Sequence, residues 1–112
     1  MIDTDRLKYT LVNHKFRALL FPKEVTYINF KTTKQSFTIL LSKERVEHIE
    51  DWSGEPHVVI SGDTVVIEEI LLGKIKLLDA KKLCSITIEG SYRHQLMLET
   101  ILWFNQSFVL KK

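Results

Sequence analysis

The side chains best suited to chemistry in this sequence are one cysteine, Cys84, and four histidines, His14, His48, His57 and His94. A cysteine nucleophile needs a base beside it and a lowered pKa. No Cys-His-Asp pattern surrounds Cys84, which reads as a small buried hydrophobe at the end of an apolar stretch. The histidines are scattered without metal-ligand spacing. Only His48 and His57 are placed to approach each other, across "SGEP" at 53 to 56. No glycine-rich phosphate loop or nucleophile elbow occurs. These residues predict a protein that is not an enzyme and that needs no metal or cofactor.

The basic residues point nowhere more specific. Lys31, Lys34, Lys43 and Arg45 are expected to cluster around the first two turns, but they lack the interleaved aromatics that single-strand stacking uses. A formal charge of +2 supplies no strong pull on nucleic acid. Nucleic acid is therefore not an expected partner.

The apolar residues are more informative. The last segment carries Leu96, Met97, Leu98, Ile101, Leu102, Trp103, Phe104, Phe108, Val109 and Leu110. That exceeds what one buried stripe of a sheet-covering helix requires. Residues 63 to 72 add Val65, Val66, Ile67, Ile70, Leu71 and Leu72. Core filling accounts for many of these side chains. A surplus is expected to line a tunnel between helices and sheet, or an exposed dimer or membrane patch. Met97 suits a deformable wall. At the start of the last helix, Tyr92, Arg93, His94 and Gln95 are candidates to orient a ligand's head.

Totals set the frame for these elements. One hundred and twelve residues, 45% hydrophobic and 27% charged, predict a single globular domain over residues 1 to 112. A lone cysteine excludes an internal disulfide framework. The charged start "MIDTDRLKYT" lacks a secretory apolar core, so a cytoplasmic setting is expected. No uninterrupted apolar run exceeds four residues, as at Ile101 to Phe104, against the ~20 a spanning helix needs. Membrane contact is expected to be peripheral at most.

Leu7, Leu11, Val12, Phe16, Leu19 and Leu20 recur at steps of three and four, predicting a helix over 4 to 20 with Thr4 as its cap. Strands follow in "VTYINFKTT", "SFTILLS", "ERVEHIEDW" and "HVVIS". A helix from Asp63 or Ser61 runs to Gly73. A short helix places Leu77, Leu78, Ala80 and Leu83 on one face and Lys81 and Lys82 on the other. The strand "SITIE" and a final helix capped by Ser91 complete the chain. Four consecutive strands predict an antiparallel meander, and the fifth, after a helical crossover, is free to pair in parallel.

The stretch "GKIKLLDAKKLCSITIEG" at 73 to 90 resembles the C-terminal half of the sterol carrier protein family. Gly73, Lys74, Ala80, Ile86, Ile88 and Gly90 stand in the register of that family's "GKL…A…GKLKIKGD", and "GEPHVVIS" resembles the acidic residue, proline and short strand upstream. Cys84 replaces a common glycine, Leu77 a proline and Ser91 an aspartate. The residue match covers about 54 to 104. None of the matching residues is catalytic in that family.

The resemblance implies an α+β fold, a five-stranded, mostly antiparallel sheet with helices covering one face. It also implies non-enzymatic binding or transfer of an apolar ligand such as a fatty acid, acyl thioester or sterol. The expected groove is walled by Ile67, Ile70, Leu71, Leu78, Leu83, Leu96, Met97, Ile101 and Phe104, over strands carrying Ile28, Phe30, Phe37, Ile39 and Ile88. Tyr92 and Arg93 are expected at the head group. The alternative is an interaction module without a cavity that homodimerises through its last helix.

Overall fold

The computed structural model describes residues 2–50 and 52–104. The end of the predicted last helix, with Phe108, Val109 and Leu110, lies outside them. The chain runs α1 (Thr4–Val12), α2 (Arg17–Leu20), β1 (Thr26–Thr32), β2 (Ser36–Leu41), β3 (Val46–Ile49), β4 (Val58–Gly62), α3 (Thr64–Leu71), α4 (Leu77–Lys82), β5 (Ile86–Gly90) and α5 (Tyr92–Trp103). This is an α+β architecture with one mixed five-stranded sheet in the order β3-β2-β1-β4-β5.

Three of the strand pairings, β1 with β2, β2 with β3 and β4 with β5, are antiparallel. The fourth differs from the predicted meander, because β4 lies beside β1 and runs parallel to it. "SGEP" is thus no tight hairpin. The connection from β3 crosses the sheet on the face away from the helices, where Trp52 stacks on Tyr27 at 4.3 Å and 11°. His57 fixes the landing point. Its N–H donates to the Tyr27 carbonyl at 2.9 Å, and its Nδ1 accepts the Tyr27 N–H at 3.0 Å.

β5 returns antiparallel to β4, whereas a single helical crossover would have left it parallel. Two helices, α3 and α4, intervene and reverse the chain once more. Cys84 makes the second reversal, with φ at +59°, and the Ser85 N–H reaches the Ala80 carbonyl at 3.0 Å.

Alternation explains which sheet face is covered. Ile28, Phe30, Phe37, Ile39, Val58, Ile60, Ile86 and Ile88 fall on one face by register and are buried beneath the helices. The helices answer with Leu7, Leu11, Ile67, Ile70, Leu71, Leu77, Ala80, Leu98, Ile101 and Leu102. Each such aliphatic side chain contributes ~1.5–3 kcal/mol when fully buried.

The predicted first helix is two. α1 ends at Val12 and its cap is Asp3, which accepts the Arg6 N–H at 3.0 Å, in place of Thr4. His14 and Lys15 make the corner before α2. Its ring accepts the Phe16 N–H at Nδ1, 3.0 Å away, a bond that competes with continued helix. Ser91 caps α5 as its position predicts, accepting the His94 N–H at 3.2 Å.

Candidate functional site: a groove between α4 and α5

α4 is short, and its burial follows from where it lands. Leu77 and Ala80, three residues apart, point into the core, leaving Leu78 half-buried and Lys81 and Lys82 exposed. α5 packs alongside with Gln95, Leu98, Ile101 and Leu102 inward. Between the two helices lies a groove of about 500 Å³ lined by Lys76, Leu78, Asp79, Lys81, Lys82, Tyr92, Leu96 and Glu99.

Hydrogen bonds hold the walls in place. Glu99 Oε2 accepts the Leu78 N–H at 3.1 Å, so a carboxylate on α5 satisfies a free backbone donor in the first turn of α4. Lys81 Nζ donates to Gln95 Oε1 at 2.9 Å. The same Gln95, 4% exposed, donates from Nε2 to the Gly90 carbonyl at 2.9 Å. Lys76 Nζ sits 5.1 Å from the centroid of the Trp103 ring. The result is an amphipathic groove with Leu78, Leu96 and the Tyr92 ring as apolar surface, three lysines and two carboxylates around it.

The expected groove residues divide into several groups. Leu78 and Leu96 line this groove, and Tyr92 joins them. Ile67, Ile70, Leu71 and Ile101 are packed in the core, each 2% exposed or less. Met97 is half-buried against that core. Leu83 is 74% exposed, because α4 stops at Lys82 and the chain turns at Cys84 before another apolar position can face inward. Phe104 is exposed at the far end of α5, where its ring meets Phe16 edge-on at 5.8 Å. Arg93 is exposed and does not line the groove.

Periodicity missed Lys76, Asp79 and Glu99 as groove residues, and it set Lys81 and Lys82 on the face away from the site. The available signal was the i, i+3 pair Leu77 and Ala80. Two small steps of core contact suffice for a six-residue helix and release Leu78 to the groove.

The other chemistry-bearing residues are also placed. Cys84 is exposed, contrary to its reading as a buried hydrophobe, because the reversal it makes lies at the surface. His48 and His57 do not meet, since two strands separate β3 from β4. His48 instead stands edge-on to Phe37 at 5.9 Å. His57 meets His94, with ring centroids 5.3 Å apart. Burial, then the charges of His57 and Arg93, lower the His94 pKa from its ordinary value. The predicted basic cluster is split, because Lys34 belongs to the β1–β2 turn and Lys43 and Arg45 to the β2–β3 turn at the opposite end of the sheet. Among the described residues, no group of three or more His, Cys, Asp or Glu is gathered to hold a metal ion. No helix among them is long and apolar enough to cross a membrane.

By sequence, no known family and no curated protein matches the chain. Solved structures do. A UbiJ-SCP2 ubiquinone synthesis protein superposes with a TM-score of 0.69 over 90% of each chain at 11% identity. The palmitated SCP2L2 of Aedes aegypti superposes with a TM-score of 0.62, covering 88% of this chain and 89% of its own, at 15% identity. This chain has a sterol-carrier-protein-like fold. The same fold also occurs as a piece of something larger. The sec-alkylsulfatase Pisa1 of Pseudomonas sp. matches with a TM-score of 0.59 at 13% identity, over 87% of this chain but 14% of the sulfatase. The sterol-carrier-like architecture that the 73 to 90 stretch implies is therefore present, with the helices on one face of the sheet as expected.

Proposed function

We propose that the chain is a single sterol-carrier-like domain that binds or transfers an apolar, lipid-like ligand and catalyses no reaction. The observation that carries this reading is the groove between α4 and α5, where Leu78, Leu96 and Tyr92 offer apolar surface that the core does not use. An acyl chain laid against them gains ~0.8 kcal/mol for each methylene shielded from water. Tyr92 and the lysines at the rim supply the polar groups that orient a head. The likeness to sterol carrier folds, one of them a palmitated protein, supports the same reading. Half-buried Met97 and exposed Phe104 add apolar surface elsewhere on the α5 segment, while Ile70, Leu71 and Ile101 belong to the packed core.

Trp103 provides the test, because Lys76 of the groove lies over its ring. Delipidated protein is titrated with palmitate and with cholesterol while tryptophan emission is followed, in a Trp52→Phe background that leaves Trp103 as the reporter. A saturable change that Leu96→Glu weakens at least tenfold supports the reading. No change with either lipid contradicts it. The dimer reading separates in the same samples, since a dimer dissociates on dilution whether or not lipid is present.

A further inference from the structure

Among the described residues, two buried side-chain atoms find no hydrogen-bond partner, Asn29 Oδ1 and His48 Nε2. Such an atom costs stability that a bound partner recovers. The Asn29 amide is at least used through its nitrogen, which donates to Thr38 Oγ1 at 2.9 Å. His48 differs, because it stands in the wall of a cavity of about 350 Å³ where the start of α1 meets the ends of β2 and β3.

The lining of this cavity is built from three places in the sequence. Gln35, in the β1–β2 turn, is fixed by its N–H to Thr32 Oγ1 at 2.9 Å. Its Oε1 accepts the Ile2 N–H at 2.8 Å and so ties the residue before α1 to that turn. Thr4 and Ser36 add hydroxyls, and Glu50 adds a carboxylate just beyond β3. Buried Ile2 and Phe37 supply the apolar side, with the His48 ring edge-on to Phe37 at 5.9 Å. Glu50 carries the one fixed charge in the lining. Arg6 and Lys34 are the basic residues nearest in sequence, and neither lines the cavity.

That combination selects a class of ligand. An imidazole nitrogen, a carboxylate and two hydroxyls all accept hydrogen bonds. A carboxylate or phosphate ligand would meet Glu50 with like charge and no basic side chain to offset it. An ammonium supplies three donors, and bonds from a charged donor are about twice as strong as neutral ones. The volume falls at the lower end of the ~300–1,000 Å³ of small-molecule sites.

We propose that the cavity between α1, β2 and β3 binds a small organic amine, whose ammonium bonds His48 Nε2 and Glu50 while its apolar body rests against Ile2 and Phe37. This site shares no residue with the groove between α4 and α5. It stands whether or not that groove holds a lipid.

Calorimetric titration of the whole chain with three molecules of one shape tests this. Phenethylamine is the cation, 2-phenylethanol the neutral analogue and phenylacetate the anion. Saturable binding of phenethylamine is expected, with 2-phenylethanol at least about tenfold weaker and phenylacetate without measurable binding. His48→Phe keeps a ring and removes the nitrogen, and is expected to weaken the amine at least about tenfold. The same variant removes an unpaired buried atom, so its midpoint in chemical denaturation is expected to equal or exceed that of wild type. Glu50→Gln, at an exposed site, is expected to weaken the amine by up to about fivefold. Palmitate titration of both variants is expected to be unchanged. Failure of phenethylamine to bind, or equal binding of the three molecules, overturns the proposal. So does amine binding that His48→Phe and Glu50→Gln leave intact and Leu96→Glu alters, because the amine would then occupy the groove. A lowered midpoint in His48→Phe also overturns it, since the nitrogen would then have a partner in the folded protein.

Discussion

His14 and Ile101 are joined by a hydrogen bond of 2.9 Å that spans 87 residues of sequence, from the corner after α1 to the last turn of α5. Because His14 Nδ1 accepts the Phe16 N–H, the proton resides on Nε2 and is donated to the Ile101 carbonyl. One neutral imidazole thus ties the corner between α1 and α2 to α5. It also lines a surface cleft together with Lys15, Arg17, Ala18 and Lys43.

That arrangement fixes the sign of a pH effect. Burial lowers the folded-state pKa of His14 from 6.5, and the bond to Ile101 offsets part of the shift. The unfolded chain takes up a proton first as pH falls. Stability from this group is therefore complete above about 6.5 and is lost as pH falls through the lowered folded value. Denaturant titrations above and below 6.5 are expected to show the decline in wild type and a flatter profile in His14→Gln. His14→Ala, which leaves the Ile101 carbonyl without its donor, costs about 1–3 kcal/mol.

Gly90 is a second fixed point. Its φ is +135°, and a Cβ there would sit 2.5 Å from the His57 carbonyl oxygen. Both the backbone angle and the space exclude a side chain. Gly90→Ala is expected to cost at least about 1–3 kcal/mol, read as a lower midpoint in chemical denaturation. A midpoint equal to wild type would show that the β5–α5 junction is built differently.

Gln95 links three elements through one buried amide. Gln95→Leu keeps the volume but removes the donor to Gly90 and the acceptor for Lys81. A loss of about 1–3 kcal/mol is expected, with a smaller loss for Lys81→Met, which removes only the bond from an exposed side chain and leaves the Gln95 bond to Gly90 in place. Equal losses in the two variants would place the energy in the Lys81 bond and not in the Gly90 bond.

Groove and core separate by opposite effects. Leu96 is 40% exposed, so Leu96→Glu is expected to change stability by no more than about 0.5 kcal/mol while weakening lipid binding at least tenfold. Ile101, fully buried, behaves in reverse. Ile101→Ala is expected to cost about 2–5 kcal/mol, measurable by denaturation, with residual folded protein still able to bind.

Much of this fold was legible because local chemistry agrees with it. The alternation of Ile28 with Phe30 and of Phe37 with Ile39, the Ser91 cap and the Gly73-to-Gly90 stretch each carry their structure in a few residues. What was hidden depends on partners distant in sequence. Nothing near "SGEP" reveals that β4 will lie parallel to β1, since that follows from His57 bonding Tyr27 across 30 residues. Within the 4 to 20 segment, apolar spacing continues smoothly through the corner that His14 and Phe16 create. The groove was harder still. Leu78 and Leu83 have the same periodicity as Leu77, and only the landing of α4 against α5 decides which of them meets solvent. Lys76, Asp79 and Glu99 carried no periodic signal at all.

A lipid held by the chain adds its own mass to the folded protein. Purified protein is weighed by native mass spectrometry, then denatured, and the released material is extracted and weighed by itself. A stoichiometric mass difference, recovered in the organic extract as a fatty acid, acyl thioester or sterol, is the predicted result, along with its reduction in Leu96→Glu. A native mass equal to that of the bare chain, with no uptake after incubation with palmitate or cholesterol, would contradict it.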